Sequence, residues 1–281
     1  MISTRPPRVL ALCADDFGLT PGISAGIAQL ARAQRLTAIS CITNSPHWEK
    51  AAARLEGLPA TVEVGLHFNL TEGAPLSHHL RKRWPRSSSL VGLILRAHLG
   101  LLPRRALSSE AHAQLAAFIG ARGGPPQFID GHQHVHHLPG VRALILDMAE
   151  HLQPLPALRS TARVLGPGFA FKRLVIERSG GRALGRALAL RALAHNPVLL
   201  GVYDFADTDY RGLVQRWLAG IPPEGALLFC HPGEASGTGR DPIDAARERE
   251  LAYLESSAFT HDLAAAGVTL GRVWRTVAPP A

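Results

Sequence analysis

Short apolar runs alternate along the chain with longer segments in which apolar residues recur at helical spacing. A short apolar run bounded by turn residues predicts a buried strand, and recurrence every three or four residues predicts an amphipathic helix. The predicted strands cover 9–14, 38–43, 62–70, 127–130, 156–159, 198–205, 226–230 and 268–270. The predicted helices cover 23–34, 47–55, 108–121, 141–152, 178–194, 211–218 and 248–265.

Strands and helices that alternate in this way are typical of a parallel α/β sheet or barrel. In such folds the active site lies at the carboxyl ends of the strands. Polar residues follow several predicted strands, among them Asp15, His67, His132 and His231. We therefore expect these side chains to converge on one site.

Two adjacent carboxylates, Asp15 and Asp16, follow the first predicted strand. Neighbouring carboxylates repel each other unless a cation lies between them. One could ligate a metal while the other acts as a base. The alternative is that they cap the next helix, but Thr20 and Pro21 already provide a cap and a first helical residue. The pair is therefore partly free for chemistry.

Four histidines lie within six residues, at His132, His134, His136 and His137. The first three alternate, and in an extended segment they would point to one side. Imidazoles on one side of a strand end suit a divalent metal. The alternative is a solvated, histidine-rich loop. His67 follows an earlier strand in the same way, which strengthens the metal interpretation.

Further polar side chains follow the later strands. Arg159 ends the fifth predicted strand, where its guanidinium could face an anionic group. Asp204, Asp207 and Asp209 share one loop, where they could contact a substrate or cap the next helix. His231 follows the seventh strand and is a candidate general acid.

The net charge of +8 rests on 27 arginines and only three lysines, spread through Ala- and Leu-rich stretches. A nucleic-acid interface usually shows a basic motif with aromatic residues, and the sequence has none, so we expect no nucleic-acid partner. Three widely separated cysteines form no zinc or disulfide pattern, which favours the reducing cytoplasm. The first eight residues lack the pattern of a signal peptide.

The segment 76–107 is harder to interpret and is predicted to be an insertion. It carries a basic run at 81–86 and an apolar run at 91–102 that is too short to span a bilayer. We expect a lid over the site, a homodimer contact or a membrane-surface element, and no transmembrane segment.

Common cofactor and nucleophile motifs are absent from the sequence. It has no GxGxxG pattern, no phosphate-binding loop and no GxSxG elbow. Metal-assisted chemistry is therefore favoured over nucleophilic chemistry.

Four motifs occur in the order seen in the YdjC-like family: ADDFG at 14–18, GLHFNLT at 65–71, DGHQHVH at 130–136 and CHPG at 230–233. The chain resembles this family, which includes chitooligosaccharide deacetylases and hopanoid-biosynthesis-associated proteins. The resemblance spans most of the chain and implies a TIM-barrel-like (β/α) barrel in a single domain with the 76–107 insertion. It also implies removal of N-acetyl groups from an amino-sugar-containing carbohydrate, which could be a small molecule, an oligosaccharide or a lipid-linked sugar.

The same resemblance implies roles for individual residues. Asp16, His67 and His132 match the ligands of one divalent metal ion, Mg²⁺ or Zn²⁺. Asp15 would be the general base and His231 the general acid for attack by a metal-activated water.

Four more residues are expected to contact the substrate. His134 and His136 complete the histidine motif, and Arg159 and Asp204 follow two later strands. The 76–107 insertion departs from the family motifs, so the acceptor sugar stays open.

Two other classes of protein stay open. A different metal-dependent amidohydrolase or a phosphoesterase could also use histidines after a strand, although a phosphoesterase typically needs more than one metal. A non-catalytic protein that binds carbohydrate or metal is the other alternative, and the adjacent aspartates argue against it.

Overall fold

The computed structural model describes residues 8–235 and 241–276. Residues 1–7, in which we expect no signal peptide, lie outside the described residues. Within the described ranges, eight parallel strands alternate with eleven α-helices.

The elements follow the chain in this order. The strands are β1 (Arg8–Phe17), β2 (Ala38–Cys41), β3 (Glu63–Phe68), β4 (Phe128–Gly131), β5 (Ala157–Leu158), β6 (Leu199–Leu200), β7 (Ala226–Cys230) and β8 (Val268–Leu270). The helices are α1 (Pro21–Arg32), α2 (Trp48–Ala52), α3 (His78–Arg83), α4 (Leu90–His98), α5 (Arg104–Arg122), α6 (Val141–Glu150), α7 (Ala170–Ile176), α8 (Arg182–Leu190), α9 (Tyr210–Ala219), α10 (Asp244–Glu255) and α11 (Ser257–Ala265). Short 3₁₀ or π-helical turns cover Ala53–Leu55, His132–His137 and Glu177–Gly181.

The strands form one parallel sheet in the order β5-β4-β3-β2-β1-β7-β6, and β8 also pairs with β1. Seven of them form a half-barrel with helices. A backbone bridge between Val164 and Leu199 links the segment after β5 to β6. The predicted TIM-barrel-like α/β fold is therefore confirmed, and the carboxyl ends of its strands share one edge.

The central strand β1 separates two apolar layers, because successive strand side chains point to opposite faces. Leu10 and Leu12 belong to the larger layer, to which the helices contribute. Ala11 and Cys13 belong to a smaller layer formed mainly by residues from the strands. Asp15 continues this second set, so the alternation directs it toward the inside of the half-barrel.

Two predicted elements are shorter or broken. The strand predicted over 198–205 is reduced to β6, because Gly201 adopts a φ of 113° that takes the chain out of the extended region. The closing helix predicted over 248–265 is two helices, α10 and α11, since Ser256 between them is extended.

The segment 76–107, which is predicted to be an insertion, contains α3, α4 and the first turn of α5. The predicted start of α5 at 108 was wrong, since the helix begins at Arg104, directly after Pro103. Proline fits a helix start because it has no backbone N–H to leave unpaired. No helix in the described parts of the chain is long and apolar enough to cross a membrane.

Candidate metal centre and its cavity

The two aspartates that end β1 are separated by an unusual backbone conformation. Asp16 has a left-handed φ of 68°, and the pairing of β1 with β2 shifts register between Ala14 and Phe17. On strand alternation alone, Asp16 would point away from Asp15. Both carboxylates instead line the same cavity. Strained backbone of this kind is concentrated at functional sites.

Asp16 forms a compact cluster with two histidines. His132 Nδ1 lies 2.9 Å from Asp16 Oδ1, and His67 Nε2 lies 3.5 Å from the same oxygen. All three side chains are buried, and one ligand atom from each lies within 4.8 Å of the others. The predicted ligand set is therefore brought together from the ends of β1, β3 and β4.

Electrostatic interactions keep Asp16 and His132 of this cluster ionised. Burial raises the pKa of Asp16, but His132 and Arg247 outweigh it and hold the pKa well below its usual range. Burial lowers the pKa of His132, but Asp16 and Glu72 outweigh it and raise the pKa to about 10. The carboxylate thus attracts a proton to the neighbouring ring, which is the response expected of a site built for a cation.

A second carboxylate orients His67. Its Nδ1 donates a hydrogen bond of 2.6 Å to Asp130 Oδ1, which also accepts a 2.5 Å hydrogen bond from Ser40 Oγ. With Nδ1 protonated, Nε2 carries the lone pair and faces Asp16. Metal-binding histidines are usually held in this way by a carboxylate on the other ring nitrogen.

The donor set fits a divalent metal. Asp16 Oδ2 accepts a 2.8 Å hydrogen bond from Arg247, whereas Asp16 Oδ1 is buried and, among the described residues, receives no well-aligned hydrogen bond. A buried carboxylate oxygen without a donor is costly unless a cation satisfies it. One carboxylate and two imidazoles are the ligand types of catalytic zinc sites and also suit other divalent ions.

Asp15 belongs to a different cluster, which already contains a cation. The guanidinium of Arg159 donates hydrogen bonds of 2.6 Å to each oxygen of Asp15 and lies 2.5 Å from Asp130 Oδ2 and 3.1 Å from Cys13 Sγ. Burial alone would lower the pKa of Arg159, but Asp130 and Asp15 keep it well above its usual range.

The guanidinium of Arg159 thus faces two carboxylates of the protein itself. Its side chain is fully buried and lies outside the cavity lining. It holds Asp15 and Asp130 in place, because two carboxylates inside the half-barrel need a cation between them. A substrate contact by Arg159 stays a prediction.

The histidine-rich segment is a 3₁₀ turn and not an extended strand, so the prediction that three alternating rings share one side was wrong. Gln133 and His134 adopt left-handed φ values of 50° and 62°, which break the alternation. His134 lines the cavity, with its ring edge against Phe229. His136 is fully buried, and its Nε2 lies 2.9 Å from the Arg159 carbonyl oxygen. His136 therefore supports the backbone, and the expected substrate contacts of His134 and His136 stay predictions.

The two clusters meet at a cavity of about 330 Å³. Asp15, Asp16, His67, His132 and His231 all line it. The remaining wall is largely apolar, and includes Leu90 and Ile94 of α4, Val175 and Ile176 of α7, and Phe205 and Phe229. Both catalytic candidates and all three metal candidates thus reach one enclosed volume.

His231 is held at the cavity through its backbone. Its N–H donates a 2.5 Å hydrogen bond to Glu250 Oε2, and Tyr203 donates a short hydrogen bond to the other oxygen of Glu250. The ring Nδ1 is buried, with no hydrogen-bond partner among the described residues. Burial lowers the pKa of His231 to about 4 and raises the pKa of Glu250 to about 7.

The aspartates in the loop after β6 accept hydrogen bonds from backbone N–H groups of nearby residues. Asp209 caps α9 by accepting a 2.9 Å hydrogen bond from Gly212 N, and Asp207 accepts one from Asp209 N. Asp204 is exposed, accepts a 3.0 Å hydrogen bond from Ala206 N, and lies outside the cavity lining, although its neighbours Tyr203 and Phe205 line it. A substrate contact by Asp204 stays a prediction.

Sequence reasoning missed four residues of the site. Two of them could have been recognised from the sequence. Asp130 lies near the end of a strand as Asp15 does, and Ser40 is a polar residue inside a buried strand. Arg247 and Glu250 lie on α10, far along the chain, in a helix with no recognisable motif. Only the folded structure shows that they support Asp16 and His231.

The fold and the site together define a class of protein. It is an α/β half-barrel with a candidate divalent-metal centre at the carboxyl ends of its strands. The family model described as YdjC-like protein matches residues 9–265. The chain therefore belongs to the YdjC-like family, as its four motifs indicated.

Two curated relatives match nearly the whole chain. It is 33% identical to a carbohydrate deacetylase of Mus musculus, with 94% of each chain covered. It is 30% identical to a chitooligosaccharide deacetylase of Escherichia fergusonii, with 94% of this chain and 97% of the relative covered.

A solved structure supports the fold. A crystal structure named for cellobiose-phosphate cleavage, from Enterococcus faecalis, superposes with a TM-score of 0.72 at 20% identity. The match covers 95% of this chain and 98% of that one, so the half-barrel extends through both.

Proposed function

We propose that this chain is a metal-dependent hydrolase that removes N-acetyl groups from an amino-sugar-containing carbohydrate. The observation that carries the proposal is the buried Asp16, His67 and His132 cluster, which shares one cavity with Asp15 and His231. Full-length relatives named as carbohydrate and chitooligosaccharide deacetylases support the substrate class.

Asp16, His67 and His132 would hold one divalent ion, Mg²⁺ or Zn²⁺. When bound, the metal would supply Lewis-acid chemistry, polarising the acetyl carbonyl and making a water easier to deprotonate. Arg247 and Asp130 would hold Asp16 and His67 in the geometry that the ion requires.

Asp15 would act as the general base toward the attacking water. Both of its oxygens accept hydrogen bonds from Arg159, so the carboxylate cannot rotate freely. A base held in one orientation removes a proton without first having to be ordered.

His231 would act as the general acid toward the departing amine. Because burial lowers its pKa to about 4, the ring is neutral in the free protein at pH 7. It must therefore gain a proton during the reaction, and negative charge that develops beside the ring favours this gain. The bond from its backbone to Glu250 keeps the ring at the cavity meanwhile.

The test is acetate release from a panel of N-acetylated sugars, oligosaccharides and lipid-linked sugars. The protein is stripped of metal and then supplied with Mg²⁺, Zn²⁺, Mn²⁺ or Co²⁺. We expect acetate only after metal is restored, at about one metal per chain. His67→Ala should abolish release, whereas His151→Ala, an exposed histidine on the far end of α6, should not.

Two results would contradict the proposal. One is metal-independent acetate release by His67→Ala. The other is silence across the whole panel with metal bound, which would favour a different hydrolase or a binding protein. A phosphoesterase would typically need more than one metal, so a ratio near one metal per chain argues against it. The cytoplasm stays the predicted location.

A further inference from the structure

The helices α4 and α7 present apolar side chains to solvent beside the cavity. We call these residues, together with two leucines that follow α4, the apolar rim: Val91, Leu95, Leu99, Leu101, Phe171, Leu174 and Val175. Five of them are between 57 and 79% exposed. Among the described residues, the rim holds seven of the nine large apolar side chains that are at least 36% exposed, so the exposure is concentrated. A concentrated apolar surface marks a site of interaction with another surface.

Helix α4 is apolar on nearly every side. Leu93 and Ala97 are buried in the protein, and Leu90 and Ile94 face the cavity. Val91 and Leu95, which directly follow Leu90 and Ile94 in the chain, face solvent. A helix of this kind is normally surrounded by protein or lipid.

Helix α7 exposes an even larger share of its apolar residues. Five of its seven residues are apolar, and none of the seven is buried. It adjoins α4, since His98 Nε2 lies 3.0 Å from the Ser179 carbonyl oxygen just after α7. Val175 and Ile176 line the cavity together with Leu90 and Ile94. The rim and the cavity therefore lie side by side.

The charge around the rim is one-sided. The stretch 73–109 contains seven lysines and arginines and no aspartate or glutamate. The stretch 165–186 contains five more and a single acid, Glu177, which pairs with Arg182 at 2.7 Å. The exposed cations include Arg83, Arg86, Arg96, Arg104, Arg105 and Arg178.

We propose that the apolar rim docks on an anionic lipid bilayer, with α4 and α7 lying in the interface. Apolar side chains would enter the acyl region, while the surrounding arginines would contact anionic headgroups. A second copy of the chain fits less well, because a symmetric contact would bring the same basic stretches together without acidic partners. Docking would place the cavity opening at the lipid surface. The inference goes beyond the proposed reaction and does not depend on it.

The test is flotation of the full-length protein with vesicles of phosphatidylcholine alone or with about one third phosphatidylglycerol, at low and high salt. We expect binding to the anionic vesicles, weak binding to neutral ones, and weakening by salt. The double variant Leu95→Glu/Phe171→Glu should lower the bound fraction about tenfold or more, since two charges would have to enter lipid.

A matched control carries the same added charge at the other end of the half-barrel. Leu155→Glu/Leu190→Glu replaces two exposed apolar residues there, next to the ion pair of Arg191 with Glu150. The control should keep most of the binding, and circular dichroism should show both variants folded. Equal flotation of the two variants, or no preference for anionic vesicles, would overturn the proposal. So would a dimer that only the rim variant dissociates, without vesicle binding.

Discussion

Asp15 and Asp16 are neighbours in the chain, yet they belong to two clusters with different contents. The Asp15 cluster holds a cation at its centre, because the guanidinium of Arg159 lies between Asp15 and Asp130. The Asp16 cluster has a carboxylate oxygen with no well-aligned donor among the described residues, beside two imidazoles. Both groups contain three potential metal ligands within a short distance.

The difference between the clusters shows that ligand types and distances alone do not define a metal site. The cations that the protein itself places in a cluster decide whether a metal ion can bind there. A guanidinium built into the fold makes the first cluster a structural support for the base. In the second cluster Arg247 contacts only Oδ2 of Asp16, and Oδ1 faces His132 and His67, where a divalent ion can displace the proton shared with His132.

Replacing either aspartate should stop the reaction, but in different ways. Asp16→Asn removes a ligand, so we expect neither retained metal nor acetate release. Asp15→Asn keeps the ligands, so we expect metal to stay bound while kcat falls about 10²- to 10⁴-fold, the usual loss for a general base. Metal content after dialysis and acetate release distinguish the two. Equal loss of metal in both variants would remove the distinction between the clusters.

Arg159→Met should destabilise the fold more than any metal-ligand substitution does in metal-free protein. It leaves Asp15 and Asp130 buried without their cation, so we expect the free energy of unfolding to fall by about 3–5 kcal/mol. Urea unfolding followed by circular dichroism measures it. Arg163→Met is the control, since its pair with Glu224 is exposed and should be worth less than about 1 kcal/mol. Similar losses for both arginines would show that the first cluster is not a structural ion pair.

Glu250 is a further buried carboxylate, and among the described residues it has hydrogen bonds but no directly bonded cation. Burial raises its pKa to about 7, whereas in the unfolded chain it is about 4.3. The folded state therefore binds more protons between these values, and its stability falls as the pH rises through them. In metal-free protein, wild type should lose about 1–3 kcal/mol relative to Glu250→Gln between pH 5 and pH 8. A difference that does not change with pH would place the Glu250 pKa near its ordinary value.

Ser40→Ala should have the smallest effect. It removes the hydroxyl that donates to Asp130, which in turn orients His67. We expect metal affinity to fall about 10- to 100-fold, as is usual when the support of a ligand is lost. Isothermal titration with Zn²⁺ gives the affinity. Thr37→Ala loses a comparable buried hydrogen bond to Leu12 and should leave the affinity unchanged. If both variants bind Zn²⁺ equally, Asp130 does not depend on Ser40.

The sequence by itself determined the order of the eight strands, the α/β class and the metal-ligand candidates, but it did not predict α3, α7 or the break between α10 and α11. It could determine the former because apolar runs mark buried strands, and polar residues at their carboxyl ends meet at one edge of a parallel sheet. The ends of β1, β3 and β4 bring Asp16, His67 and His132 together as predicted. The length of β7 was also predicted without error.

Only the tertiary structure decided what each polar group contacts. The left-handed backbone at Asp16 and His134 cancels the alternation on which side-chain direction was predicted. Arg159, which follows a strand like a site residue, pairs with Asp15 because the half-barrel closes around it. Arg247 on α10 reaches Asp16 from 231 residues away in the chain. Contacts over such separations depend on packing, and a local pattern carries no information about them.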